Sequence, residues 1–184
     1  MMNEKVILVN EQDQEIGEME KLEAHRKGLL HRAFSVFIFD RSGNYLLQKR
    51  NPGKYHSGGL WTNTCCGHPR PGEDTGMAAQ RRLFEEMGIR CQLQYKFKFS
   101  YKSEFKNGIT ENEIDHVFFG KYDKPPNPDS EEVAEWKYAD SSVIKSELTN
   151  NSEEFTTWFR ICFPEVLSRK TSENIRPSSK SDTI

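Results

Sequence analysis

The length, composition and charge of the chain indicate one ordinary globular domain. The chain has 184 residues, of which 35% are hydrophobic and 29% charged, a balance that is typical of soluble proteins and excludes a disordered or membrane-embedded chain. The formal net charge of −2 provides no general attraction to nucleic acid, and no apolar run approaches the roughly 20 residues that span a bilayer. The chain begins without a signal-peptide pattern, so we expect a cytoplasmic protein. We also expect a monomer or a weak dimer without nucleic-acid or membrane partners.

The first elements in chain order are predicted to be strands around one short helix. Residues 6–9 form a short apolar run typical of a strand, and residues 21–27 have the length of one or two helical turns. Residues 31–39 are almost entirely apolar, which favours a strand buried on both faces. A turn follows, and a strand over residues 45–50 is predicted to pair with it as a hairpin.

A loop, a helix and two long strands follow. The loop covers residues 51–59, and the helix covers residues 76–87, with Asp74 or Thr75 as its N-cap and Gly88 at its end. Strict alternation predicts a half-exposed strand over residues 91–101, and its apolar face carries Cys91, Leu93, Tyr95, Phe97, Phe99 and Tyr101. Another strand is predicted over residues 110–122.

The last elements are a strand over residues 133–138, a helix that begins after Asp140, and a helix that begins after Ser152 and ends near residue 163. The polar, aperiodic segment after Ser168 is expected to be disordered. The chain is therefore divided into a single domain over residues 1–168 and a tail over residues 169–184. Mixed strands with few helices indicate an α+β fold or a layered α/β/α domain.

The predicted helix over residues 76–87 carries carboxylates beside guanidinium groups, a combination that can hold Mg²⁺ and phosphate oxygens. An ordinary surface helix with i,i+4 salt bridges is the alternative. The segment resembles the Nudix box, and the matching residues are Gly67, Glu73, Arg81, Leu83, Glu85, Glu86, Gly88 and Ile89. Arg82 departs from the box, which has a glutamate there that helps hydrolytic members collect metal ions. Arg82 therefore argues against pyrophosphate hydrolysis.

Cys66 and His68 lie two residues apart in a turn that contains glycine. A thiol near a histidine or a metal can act as a nucleophile or as a general acid-base. A buried structural cysteine beside a turn histidine is the alternative. The chain has four cysteines, and since Cys65 is adjacent to Cys66 and no export signal is present, reduced thiols are expected rather than disulfides.

Two carboxylates and three imidazoles could bind a divalent cation. Glu111 and Glu113 are two apart on a predicted strand and so share a face, although an exposed acidic edge is the alternative. His25 and His31 alone carry little information. Together with His68 and the two glutamates they form five nitrogen and oxygen ligands, a set that suits Mn²⁺, or Zn²⁺ with expanded coordination.

These segments together resemble the type 1 isopentenyl-diphosphate Δ-isomerases, a branch of the Nudix superfamily, over about residues 6–163. The sequences that carry the resemblance surround His25 and His31, run from Leu60 to Pro69, and include Glu111-Asn112-Glu113. The resemblance implies a Nudix-like α/β/α sandwich with a mixed β-sheet. It also implies interconversion of isopentenyl and dimethylallyl diphosphate, with a small isoprenoid diphosphate as the partner.

The resemblance implies a role for each matching residue. The metal ligands would be His25, His31, His68, Glu111 and Glu113, for Mn²⁺, Zn²⁺ or Mg²⁺. Glu86 would bind Mg²⁺ together with the diphosphate, which Arg50, Lys54 and Arg82 would hold.

The same resemblance assigns the proton chemistry. Cys66 and Glu113 would transfer protons on opposite faces of the alkene, with Glu113, or Tyr101 assisted by it, adding the proton at the CH₂ group and Cys66 removing the proton from C2. Tyr101 would hydrogen-bond near the alkene, and Trp158 would place an aromatic face over the carbocation. His56 and His116 are interpreted as ordinary surface or packing residues.

Two alternatives have distinct signatures. A Nudix hydrolase of nucleoside diphosphate derivatives is disfavoured by Arg82. A metal-stabilised interaction domain is disfavoured by Cys66, which such a domain does not need.

Overall fold

The computed structural model describes residues 4–175. The strands of this part of the chain are β1 (Lys5–Val9), β2 (Glu15–Glu20), β3 (His31–Phe39), β4 (Tyr45–Arg50), β5 (Trp61–Thr62), β6 (Cys65–Gly67), β7 (Leu93–Glu104), β8 (Thr110–Lys121) and β9 (Val133–Ala139). The helices are α1 (Lys21–Lys27), α2 (Thr75–Met87), α3 (Ser141–Asn150) and α4 (Thr157–Ile175), with a 3₁₀ turn at Ser152–Glu154. None of the helices over residues 4–175 combines the length and apolarity that crossing a bilayer requires.

Strand β3 is the centre of one mixed sheet. Along one edge it pairs in parallel with β8 from His31↔Glu113 to Phe39↔Lys121. Along the other edge it pairs antiparallel with β1, then β6, then β4. Strands β7 and β9 extend the sheet as antiparallel partners of β8 and β4. The predicted hairpin is therefore only partly formed, because β3 and β4 pair over two residues each and then diverge.

Helices cover both faces of this sheet, which is the α/β/α layering and the α+β class that the sequence predicts. On one face Phe34, Val36 and Ile38 of β3 pack with residues of α2. On the opposite face Phe37 and Phe39 pack with α3 and α4. Alternation along β3 produces this division, since successive side chains point to opposite faces of a strand.

Helix α2 agrees with its predicted boundaries to within one residue. The Asp74 carboxylate accepts a hydrogen bond from the Met77 amide and so caps the first turn. Gly88 ends the helix with φ of 67°, and a Cβ atom there would lie 2.6 Å from the Asn127 carbonyl oxygen. Only glycine fits this position, because it adopts the left-handed conformation and has no side chain to collide.

Helix α4 differs from the prediction in that it continues to Ile175 rather than ending near residue 163. Residues 169–175, which were expected to belong to a disordered tail, are helical. Arg169 lies over the Phe97 ring at 4.8 Å, and Lys170 lies over the Tyr45 ring at 4.1 Å and donates to the Gly43 carbonyl. These contacts attach the last turns to the domain. Residues 176–184 of the predicted tail lie outside the described residues.

Two further strands, β2 and β7, differ from the prediction. Strand β2 was not predicted, because only Ile16 and Met19 interrupt its polar sequence. In β7 a bulge between Tyr95 and Phe97 breaks the alternation. Tyr95 is consequently 53% exposed and does not lie on the apolar face to which the sequence assigned it.

Candidate active site

A polar cavity of about 210 Å³ opens on the α4 face of the sheet. On this face of β3, the first half of the strand borders the cavity and the second half packs in the core. The first half has His31, Ala33 and Ser35, and the second half has Phe37 and Phe39. The pairings of His31 with Glu113 and of Ser35 with Cys66 bring residues from both neighbouring strands onto the same face.

Three imidazoles and one carboxylate converge beside this cavity, and two of them, His68 and Glu113, line it. His25 lies on α1, His31 begins β3, His68 follows β6 and Glu113 lies on β8. One ligand atom from each of the four lies within 4.8 Å of all the others. All four side chains are at most 9% exposed. Burial lowers the pKa of His68 to about 3 and also lowers that of His25, which leaves neutral imidazoles, the form that binds metals.

The hydrogen bonds of these histidines fit a metal centre. Nδ1 of His25 donates to the Lys21 carbonyl oxygen at 2.7 Å, and Nδ1 of His31 donates to the Leu29 carbonyl oxygen at 2.8 Å. Their Nε2 atoms are buried and make no hydrogen bond to any described residue. Backbone carbonyls that fix the other ring nitrogen are the usual outer partners of metal-binding histidines. The residues present therefore fit a divalent cation.

Glu111 lies beside this group rather than within it. Its ligand atom groups with those of His25 and His56, again within 4.8 Å. Nε2 of His56 lies 3.2 Å from Oε1 of Glu111. His56 is buried and packs against Phe105 and Trp158, so it is a packing histidine rather than a surface one, but it also lines the cavity, which the sequence did not predict. No motif marks His56, which stands in a loop rich in glycine.

Tyr101 connects the two carboxylates. Its hydroxyl lies 2.7 Å from Oε2 of Glu113 and 3.0 Å from Oε2 of Glu111. Burial and the neighbouring Glu113 raise the pKa of Glu111 well above its usual range. Burial alone would also raise the pKa of Glu113, but the imidazoles of His31 and His68 lower it well below the ordinary value. The two carboxyl groups thus differ strongly in proton affinity.

Cys66 faces the cavity, whereas Cys65 is fully buried in the core on the α2 side. Alternation along β6 causes this difference between adjacent residues. Arg50 donates from Nη1 to the Cys66 sulfur at 3.8 Å. Burial outweighs the effect of Arg50 and raises the pKa of Cys66 to about 12, so the group is a thiol at neutral pH.

Trp158 of α4 forms an aromatic wall of the cavity. It is 2% exposed, and the Arg50 guanidinium carbon lies 5.3 Å from the centre of its ring. The indole Nε1 donates to Oδ1 of Asn63 at 3.1 Å. The amide nitrogen of Asn63 in turn donates to the carbonyl oxygens of Val36 and Cys65. The wall is therefore attached to the backbone that carries Cys66.

The charged residues of α2 lie on the other side of the cavity. Arg82 contacts Oε1 of Glu86 at 2.6 Å and Oε1 of Glu132 at 3.2 Å, and Lys54 pairs with Glu132. Although burial alone would lower it, these carboxylates raise the pKa of Arg82. Glu86 is buried, and its second oxygen accepts from Gln48 at 3.0 Å. Two cations and two carboxylates thus lie together at this side.

Several cavity residues were not predicted from the sequence. Asp115 could have been predicted, because alternation along β8 places it on the same face as Glu111 and Glu113. Its carboxylate accepts a hydrogen bond from Ser35 at 2.7 Å. No sequence signal marked Glu132, which follows an irregular segment. His116 lies outside the cavity and contacts Asp13 at 2.8 Å, in agreement with its interpretation as a packing residue.

Comparisons with known proteins agree with this architecture. The NUDIX domain family matches residues 29–159. The crystal structure of DR0079 from Deinococcus radiodurans has a TM-score of 0.68 at 18% identity, covering 80% of this chain and 90% of that chain. The MutT protein of Methanosarcina mazei has a TM-score of 0.59 at 19% identity, covering 80% and 96%. The fold and the sequence of α2 thus define a Nudix-domain protein.

Curated relatives identify the branch. Isopentenyl-diphosphate Delta-isomerase 1 of Aromatoleum aromaticum is 47% identical over 175 residues, 95% of this chain and 99% of that protein. The isopentenyl-diphosphate Delta-isomerase of Serratia proteamaculans is 49% identical over 158 residues, 86% of this chain and 88% of that protein. The chain belongs to the isopentenyl-diphosphate Δ-isomerase family of Nudix proteins.

Proposed function

We propose that this protein interconverts isopentenyl diphosphate and dimethylallyl diphosphate in the cytoplasm, as a step of isoprenoid biosynthesis. The observation that carries the proposal is the meeting of Cys66, the Tyr101–Glu113 pair and Trp158 around one small cavity. The relatives of this name, which are nearly half identical over most of the chain, support it.

The reaction moves one proton on and another off a five-carbon chain. Adding a proton to the terminal CH₂ makes it a methyl group and leaves a tertiary cation at C3. Removing a proton from C2 then forms the new double bond between C2 and C3. One group must begin with a proton and the other without. The Cys66 thiol holds a proton and the Glu113 carboxylate does not, which fits proton addition by Cys66 and removal by Glu113, the reverse of the order that the resemblance implies. Tyr101 hydrogen-bonds Glu113 and is the third member of this proton-transfer group.

A tertiary cation must be shielded from water and nucleophiles. Trp158 offers a π face, which attracts positive charge without providing a lone pair that could form a bond. Its hydrogen bond to Asn63 occupies the indole N–H and fixes which part of the ring faces the cavity. A closed, largely buried pocket limits capture of the cation by solvent.

His25, His31, His68 and Glu113 would hold a divalent cation, for which we propose Mn²⁺, Zn²⁺ or Mg²⁺. Glu111, which lies beside this group and has a ligand atom near His25, would be the fifth ligand. When bound, such a cation supplies positive charge that orders its ligands and lowers the proton affinity of groups in contact with it. The protein's own contribution is the fixed orientation of the imidazoles by the Lys21 and Leu29 carbonyls.

The diphosphate would be held at the α2 side of the cavity. Arg82 and Lys54 provide positive charge there, and Arg50, which lines the same cavity near Trp158, would add to it. Glu86 would bind Mg²⁺ that accompanies the diphosphate, since a buried carboxylate and phosphate oxygens are the ligands that Mg²⁺ prefers. Binding energy from this remote group positions the alkene for proton transfer.

The test is incubation of the metal-supplied protein with isopentenyl diphosphate and Mg²⁺ in D₂O, followed by NMR. We expect dimethylallyl diphosphate with deuterium in the new methyl group. A folded, metal-loaded sample that leaves the substrate unchanged would contradict the proposal. The same sample should release no phosphate from a panel of nucleoside diphosphate derivatives, because Arg82 replaces a glutamate of the hydrolase pattern; such release would support the hydrolase alternative.

A further inference from the structure

Gln48 is a buried residue of β4 that contacts Glu86, the carboxylate at the α2 side of the cavity. It is 2% exposed. Its side chain points to the α2 face of the sheet, as that of Leu46 does, because residues two apart on a strand share a face. Its Nε2 atom donates to Oε2 of Glu86 at 3.0 Å. Gln48 lies behind the cavity wall rather than in it, so it acts on a bound ligand through Glu86.

The amide group of Gln48 is held in one orientation by Thr64. The Nε2 atom that donates to Glu86 also donates to the Thr64 carbonyl oxygen at 3.0 Å. Two acceptors beside this atom identify it as the nitrogen, because an amide oxygen there would face two other oxygens. Thr64 is itself fixed, since its hydroxyl donates to the Leu46 carbonyl and accepts from the Ile38 amide. Gln48 therefore connects Glu86 to the backbone just before β6.

Arg82 holds the other oxygen of Glu86, but this contact differs from that of Gln48 in charge. Nη2 of Arg82 donates to Oε1 of Glu86 at 2.6 Å. The positive guanidinium opposes binding of a second cation by the same carboxylate, and the proposed function assigns Arg82 to the diphosphate. The neutral amide of Gln48 fixes the carboxylate without adding charge. A carboxylate oxygen can accept more than one interaction, so the bond from Gln48 leaves Oε2 able to bind a cation.

We propose that Gln48 is a positioning residue that holds Glu86 in place for the Mg²⁺ that binds together with a diphosphate. Hydrogen-bonded partners of ligating carboxylates usually contribute about ten- to hundredfold to metal affinity. In the described part of the chain, the amide of Gln48 bonds to Thr64 and Glu86 but not to Arg82 or Lys54, so its effect should appear only when Mg²⁺ is present. The proposal rests on the Mg²⁺–diphosphate site of the proposed function and not on the isomerisation.

The test measures binding of inorganic pyrophosphate by isothermal titration calorimetry, with and without Mg²⁺, for the full chain and for Gln48→Met. Both proteins are first loaded with stoichiometric Mn²⁺ at the histidine cluster. Methionine is an unbranched, flexible side chain that fills the space of glutamine without an N–H group. With Mg²⁺, we expect the dissociation constant for pyrophosphate to be about ten- to hundredfold higher in the variant. Without Mg²⁺, the two proteins should bind pyrophosphate equally, since Lys54 and Arg82 are unchanged.

Gln80→Met is the matched control, because Gln80 is exposed on α2, and it should leave both dissociation constants unchanged. Gln48→Leu replaces Gln48→Met if circular dichroism shows that the latter is unfolded. A folded Gln48 variant that binds pyrophosphate as the control does, or that loses affinity equally without Mg²⁺, overturns the proposal. Binding is measured without turnover, so an unchanged protein that shows this dependence on Gln48 and Mg²⁺ but does not isomerise its substrate would contradict the proposed function alone.

Discussion

The indole nitrogen of Trp158 donates a hydrogen bond to the side-chain oxygen of Asn63 at 3.1 Å. The same oxygen accepts from the Thr62 hydroxyl at 2.9 Å, and the amide nitrogen of Asn63 binds two backbone carbonyls. Asn63 is fully buried. One side chain thus holds the aromatic wall and the strand of Cys66 at a fixed separation.

Asn63→Leu should lower kcat by about tenfold while KM for the diphosphate substrate changes little. The substitution leaves the Trp158 N–H and two carbonyls without partners, at about 1–3 kcal/mol for each buried group, and it frees the indole to rotate. Lys54 and Arg82, which we expect to determine KM, do not contact Asn63. Steady-state kinetics on the folded variant measure both constants.

Thr62→Val is the control for Asn63→Leu, because it removes another bond to the same oxygen but leaves the Trp158 bond in place. It should retain most of kcat. Equal losses in the two variants would show that the loss reflects general damage rather than the orientation of Trp158.

Cys66→Ala should lower kcat by a factor of about 10² to 10⁴, the usual contribution of a general acid or base. The variant should still bind Mn²⁺, since the thiol is not among the proposed ligands. Cys65→Ala is the neighbouring control and should retain activity, because that thiol points into the core on the opposite face of β6. Comparable activity of the two variants would be incompatible with proton transfer by Cys66.

Adjacent arginines of α2 should give opposite results. Arg82→Ala should raise KM for the diphosphate by about 10- to 100-fold, since hydrogen bonds to charged groups contribute about 1.5–3 kcal/mol. Arg81→Ala should leave KM unchanged and lower stability, because Arg81 pairs with Glu73 at 2.7 Å and with Glu85 outside the cavity. Kinetics and urea unfolding of both variants separate these effects, and a KM that rises equally in both would refute the assignment of Arg82.

Asp13 should make folding sensitive to acid. Burial alone would raise its pKa, but hydrogen bonds from Arg32 and Lys98 and the charge of His116 lower it below the ordinary 3.8. The unfolded state therefore takes up a proton first as the pH falls, so the contribution of Asp13 is complete above pH 3.8 and is lost as the pH falls through the folded-state pKa.

Asp13→Asn should accordingly lower the free energy of unfolding by about 2 kcal/mol at pH 7, with a smaller difference near the acid limit of folding. Asparagine tolerates the φ of 65° at this position, so the substitution tests charge rather than backbone strain. Urea unfolding at several pH values measures the difference. Asp123→Asn, in the exposed pair with Arg41, should cost less than about 1 kcal/mol.

Removal of the metal should destabilise the fold. A ligand at 100 times its dissociation constant stabilises the folded state by about 2.7 kcal/mol, which corresponds to about 5–10 °C in Tm for a domain of this size. Differential scanning calorimetry before and after chelation should show this loss, and added Mn²⁺ should restore it. An unchanged Tm would mean that the histidine cluster does not bind the cation.

The sequence predicted most of the elements and most of the candidate site. The resemblance, carried by short motifs around His31, Cys66 and Glu113, predicted the cluster of His31, His68 and Glu113 that the structure brings together. The position of His56 in the cavity wall could not be predicted in this way, since it depends on where the loop after β4 folds. The last helix was predicted to end near residue 163, yet α4 continues through Pro164 to Ile175, because Arg169 and Lys170 attach the added turns to aromatic rings of the domain.

The position of β3 has a consequence for how the protein loses activity. This strand contributes His31, supports Cys66 on one edge and Glu113 on the other, and carries the core residues of both sheet faces. A local opening that separated the thiol from the carboxylate would have to break the pairing of β3 with β6 or with β8. Loss of activity in denaturant should therefore coincide with cooperative unfolding of the whole domain, without a folded but inactive intermediate.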